Sequence, residues 1–215
     1  MKNIPLSHLV VSFLLVLPLM SKAQDDDWQP AHYYDVNNIK HTGYVQITTF
    51  DNLTRYGNSK VKVSEWFKFE ANEKAPVLEL YALDMQSVVT NTDSIVVRHS
   101  FRTDRKGNVK TDSAGNQYTA AGFYRVELNN SDTKIYSKSM VGNNAFANYT
   151  AYYFGKDADN IYDITNDNFA QIMTGIMKDA PDLVEKIKNG DFKLRKMEKL
   201  LIAYKKEKGV AIPAN

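Results

Sequence analysis

The hydrophobic periodicity of this chain changes once, near residue 161, and that change limits the folds open to it. Before it, apolar residues recur at every second position. In residues 60–69 (KVKVSEWFKF), Val61, Val63, Glu65, Phe67 and Phe69 fall on one side and Lys60, Lys62, Ser64, Trp66 and Lys68 on the other. Period two is the signature of a half-buried strand. Residues 94–102 and 122–128 alternate in the same way, and 44–50, 77–83, 134–141 and 147–154 are weaker strand candidates rich in β-branched and aromatic residues. Gly-Asn pairs at 57, 107, 115 and 142 fall between these segments, where a turn needs a positive φ. The polar stretch 103–117 reads as a protruding hairpin or mobile loop.

After residue 161 the spacing becomes helical. Phe169, Ile172, Met173, Ile176 and Met177 form an apolar stripe, although Gly175 inside it costs about 1 kcal/mol relative to Ala. Asp179-Ala180-Pro181 restarts a helix with Pro in its first turn, and Asn189-Gly190 stops it with a left-handed cap. From about Phe192 a last helix places Leu194, Met197, Leu200, Leu201 and Tyr204 on one side before Gly209. The expected fold is α+β. An antiparallel β sandwich or rolled sheet spans 29–162, after an acidic, frayed leader at 24–29, and a cap of two to three short helices spans 163–208.

The first 23 residues read as a secretory signal. Lys2 supplies a positive start, residues 9–19 (LVVSFLLVLPL) an apolar run of 11, and Ser21-Lys22-Ala23 the small-x-small cleavage pattern. The run is too short to cross about 30 Å of hydrocarbon. Cleavage after Ala23 leaves a mature chain of 192 residues without a transmembrane anchor, destined for the periplasm, the outer envelope or the medium. There is no cysteine, so an exported chain of this kind must hold together through its core. Removing Lys2 and Lys22 leaves 25 basic residues against 25 acidic ones, which argues against nucleic acid or another polyanion as the partner. Charge is concentrated locally: residues 186–208 hold nine Lys or Arg and three acids, the solvated face of an amphipathic helix or a contact for an acidic surface such as lipopolysaccharide.

A resemblance attaches to these residues. A signal sequence is followed by Tyr33-Tyr34, Thr42-Gly43-Tyr44-Val45, aromatic-rich strands and residues 179–206 (DAPDLVEKIKNGDFKLRKMEKLLIAYKK). This order resembles a group of exported Bacteroidetes proteins without an established function, and the resemblance implies origin and architecture but no active site. Asp93-Ser94-Ile95 and Asp112-Ser113-Ala114 resemble the O-glycosylation sequon of those bacteria. That marks Ser113, in a polar loop, and Ser94, opening a strand, as candidate glycan attachment sites.

Catalytic patterns are sparse. The mature chain has three histidines, His32, His41 and His99, none at metal-ligand spacing, and no metal or cofactor is called for. Residues 157–168 (DADNIYDITNDN) lack the Gly and Glu of a calcium loop, so Asp163, Thr165 or Asp167 is expected to cap a helix instead. No G-x-S-x-G elbow or phosphate cradle occurs, and Ser131-Asp132-Thr133-Lys134 matches S-x-x-K without its companion motifs. Glu65 and His99 interrupt apolar strand faces, and the economical arrangement is a buried structural pair in which the two meet. The alternative is an acid and base in a pocket. Trp66, on a face of lysines, either packs on aliphatic stems or stands in a groove as a ligand-binding platform. The expected function is an exported, noncatalytic envelope or secreted binding protein for an envelope component or glycan. Its rivals are a hydrolase acting on envelope polymers through carboxylates and an assembly factor docking through the C-terminal basic helix.

Overall fold

The computed structural model describes residues 28–46, 54–55, 62–101, 106, 108–130, 132–141 and 148–210. A hairpin opens the described residues: β1 (Trp28–Asp35) pairs with β2 (Lys40–Gln46) from Trp28↔Gln46 to Tyr34↔Lys40. Its turn is held by the Asp35 carboxylate, whose Oδ1 accepts the N–H groups of Asn37 and Ile39, both at 2.9 Å. Trp28 and Gln29 therefore belong to a strand and not to a frayed leader; residues 24–27 lie outside the described residues.

Next come β3 (Thr54–Arg55), β4 (Lys62–Ser64), β5 (Trp66–Glu70), β6 (Leu78–Tyr81), a 3-10 turn (Ala82–Asp84), β7 (Met85–Thr90) and β8 (Ser94–Phe101). The long β9 (Thr119–Asn130), β10 (Thr133–Val141), β11 (Asn148–Gly155) and β12 (Ile161–Asp163) complete the sheet. Its order is β12-β11-β10-β9-β8-β7-β1-β2-β5-β6, antiparallel throughout, with β4 joined to β9 in parallel and β3 to β4.

The sheet rolls. Phe67 of β5 and Phe123 of β9 are far apart in ladder order, yet their rings lie 5.4 Å apart. Between them Val45, Met85, Val88, Ile95, Val97 and Ala121 fill the inside of the roll. The roll is not closed by one continuous ladder, but the chain passes from β4, bonded to β9, straight through Glu65 into β5, bonded to β2. Residues 62–69, the described part of the expected strand 60–69, are thus two strands and not one: Ser64 and Glu65 are both buried where the chain changes partner.

The helices are α1 (Phe169–Ile176), α2 (Pro181–Lys188) and α3 (Met197–Glu207), the last preceded by a 3-10 turn (Leu194–Lys196). Pro181 occupies the first turn of α2, and Gly190 (φ +79) and Gly209 (φ +65) take left-handed conformations after α2 and α3. Their stripes meet one face of β9–β11: Met173, Ile176, Leu183, Ile187, Met197, Leu200 and Tyr204 cluster with Ile135, and Leu128, Tyr152 and Phe154 pack against them. Each such side chain contributes about 1.5–3 kcal/mol on burial, so the cap is held by tertiary packing. Among the described residues no helix is long and apolar enough to cross a membrane.

Candidate functional site

One edge of β9 is shared by two strands. Residues Thr119 to Ala121 pair with β4 and residues Arg125 to Asn130 with β10, while β8 covers the other edge from Thr119 to Arg125. Between β4 and β10 lies a fork, and the Phe123 N–H there needs an acceptor from elsewhere. Glu65, a residue 1 % exposed, supplies it: its side chain accepts that N–H on Oε2 at 2.6 Å. Its Oε1 accepts from the Lys138 ammonium of β10. Lys138 Nζ also stands 4.8 Å from the centre of the Tyr124 ring, a cation–π contact. Room for this arrangement comes from Gly122, where a Cβ would sit 2.6 Å from Lys138 Nζ and 3.1 Å from Glu65 Oε2.

The buried polar pair is therefore Glu65 with Lys138, and the expected pairing with His99 does not form. His99 ends the buried run of β8, where its residue is exposed and its side chain half exposed at 50 %, with Nδ1 4.0 Å from Asp159. Alternation alone could not show that Glu65 leaves the inside of the roll to fill a fork. The signal for Lys138 was a lysine inside the apolar and hydroxylic run of β10.

Beside the fork a cleft of about 590 Å³ opens between the β9–β11 face and α3, within the range of small-ligand sites. Its floor is built by cross-strand register. Ser137 of β10 stands opposite Tyr152 of β11, and Ser139 opposite Thr150, which sets four hydroxyl residues on adjacent strands. Arg125 and Glu127 come from β9, and Glu198, Leu201, Ile202 and Lys205 from α3. The Glu127 carboxylate accepts from the Ser137 hydroxyl at 2.6 Å and lies 3.8 Å from Lys205 Nζ. Arg125 Nε is 3.1 Å from Asp93 Oδ1. Burial, with Glu127 and Glu198 nearby, pushes the Tyr152 phenol up to about 12, so its hydroxyl stays protonated. Sequence periodicity did not single out these residues, because the cleft depends on how α3 crosses the sheet.

The other candidates lie elsewhere. Trp66 is half-buried on β5, opposite Tyr81 of the edge strand β6, and lines neither the cleft nor a second hollow of about 660 Å³ beside α1. Ser113 is exposed in a turn closed by Asp112, whose Oδ1 accepts the N–H groups of Ala114 and Asn116 at 2.9 Å. The part of 103–117 that is described ends in this turn, with Gly115 at φ +82. Ser94 is exposed at the start of β8. Asp163, Thr165 and Asp167 do not cap α1. Its N-cap is Asn168, whose side chain folds back to accept the Thr165 N–H at 2.7 Å and donate to the Asp163 carbonyl at 3.0 Å. Comparison with protein-family models, with curated proteins and with solved structures finds no match.

Proposed function

We propose that this chain is an exported, noncatalytic binding protein of the bacterial envelope or its surroundings, and that its ligand seats in the cleft between α3 and β9–β11. The signal-like first 23 residues support export. The observation that carries the binding reading is the state of the cleft's charged groups: Arg125 faces Asp93, and Lys205 and Ser137 hold Glu127. Paired charges and ordered hydroxyls form a surface suited to holding a polar molecule through hydrogen bonds.

The hydrolase reading draws on Glu127 and Glu198, which come from opposite walls and both act on Tyr152. The docking reading draws on the basic segment, but part of that charge is used inside the cap. Lys208 bonds the Asp179 carbonyl at 2.7 Å, Lys196 the Asp191 carbonyl at 2.8 Å, and Lys205 faces Glu127.

The test is native mass spectrometry of the mature protein after incubation with a bacterial envelope extract. A low-mass adduct on the wild type that is absent from Ser139→Trp, a substitution at an exposed floor position, supports the reading. An adduct unaffected by that variant places the ligand elsewhere and overturns it. Turnover of envelope polymer, lost in Glu127→Gln and Glu198→Gln, would establish the hydrolase instead.

A further inference from the structure

We infer that the ligand of this cleft is an uncharged, polyhydroxylated molecule, a neutral oligosaccharide in chemical class. The inference rests on the cleft being the ligand site. Three basic residues line it, and each already faces a carboxylate: Arg125 faces Asp93 at 3.1 Å, Lys205 faces Glu127 at 3.8 Å, and Lys138 faces Glu65. The basic and acidic side chains lining the cleft thus balance, so it offers an anion no excess of positive charge, and Glu198, exposed on α3, would repel one.

What the cleft offers is hydroxyl chemistry. Ser139, Thr150 and Tyr152 can each donate and accept, as sugar hydroxyls do, while the buried Ser137 gives its proton to Glu127 and orients that carboxylate. Glu127 uses Oε1 for Ser137, and a carboxylate has about four acceptor sites, so it can accept from neighbouring ligand hydroxyls as well. Sugar rings also carry apolar C–H faces. The α3 wall presents Ile202, 39 % exposed, beside Leu201, which gives such a face a dry contact opposite the hydroxylic floor. A purely apolar ligand would strip water from the hydroxyl floor without replacing its hydrogen bonds.

The experiment is calorimetric titration of the mature protein with three neutral trisaccharides (maltotriose, mannotriose and chitotriose), with trigalacturonate, and with the cationic glucosamine trimer. Expected is binding of at least one neutral trisaccharide, with affinity unchanged between about 0.1 M and about 1 M salt. Glu127→Gln should weaken it about tenfold or more, the loss of charge-assisted hydrogen bonds, and Ser139→Trp should abolish it. Salt-sensitive binding of trigalacturonate or the glucosamine trimer in preference to the neutral sugars, and lost in Ser139→Trp, overturns the ligand class while leaving the cleft as the site. Neutral-sugar binding that survives Ser139→Trp overturns the site and with it the proposed function. Failure of every probe to bind overturns the assignment of a neutral oligosaccharide.

Discussion

Lys138 reaches across the fork of β9 to the buried carboxylate of Glu65, tying the roll to the sheet extension that carries the helices. The pair stands in place of the backbone ladder that neither β4 nor β10 supplies at Phe123. Both side chains are largely shielded from water, at 12 % and 2 % exposed. Removing either charge alone takes from the other a close, buried partner.

Lys138→Met or Glu65→Gln should each therefore lower stability by about 3–5 kcal/mol. The double variant should lose less than the sum of the two, measured by urea unfolding as a double-mutant cycle. Strict additivity would show that the two side chains do not act as a unit.

Gly122→Ala should destabilise by about 1–3 kcal/mol, because the new methyl overlaps the place of Lys138 Nζ. In a Lys138→Ala background the same substitution should lose most of its effect. An equal penalty in both backgrounds would put the cause in the β9 backbone and not in the fork.

Alkaline pH should unfold the protein through its buried phenols. Burial pushes Tyr136, Tyr152, Tyr153 and Tyr204 up to about 12 from an ordinary value of 10.0. A raised phenol favours the neutral form in the fold, so its contribution to stability is complete below about pH 10 and is lost as pH rises toward 12. Melting temperature should fall across that window, and phenolate absorbance should grow in step with loss of the fold. Full titration of all tyrosines near pH 10 with the fold intact would contradict this.

Much of the fold was legible because burial on one face imposes a period on the sequence. Residues 94–101 alternate and correspond to β8, and 134–141, a weaker candidate rich in β-branched and aromatic residues, correspond to β10. The helix stops at Gly190 and Gly209 were readable for a local reason: both need a positive φ. β7 was missed, although Val88 is buried in it, because Met85–Thr90 reads as MQSVVT, with Gln and Ser among its apolar residues. Glu65 stands out in the sequence as a carboxylate on an apolar face, but its partner does not, since Lys138 is 73 residues away. The cleft was not legible at all: Glu127 and Lys205 meet only because α3 docks across β9–β11.

Deleting the helices should expose the patch they cover. A fragment of residues 24–163 would present Ile135, Leu128 and Phe154 to water, and should aggregate or melt well below a chain of residues 24–215. A soluble monomer with an unchanged melting temperature would show the cap to be an independent unit.

The most direct test of the binding account is amide chemical-shift mapping of residues 24–215 titrated with the low-mass fraction of a bacterial envelope extract. The account predicts that the amides of Arg125, Glu127, Ser139, Thr150 and Lys205 move together and saturate, while those of Trp66, His99 and Gln171 stay in place. Shifts confined to the β5–β6 edge, shifts confined to exposed Lys199 and Lys206, or no shifts at all would contradict it.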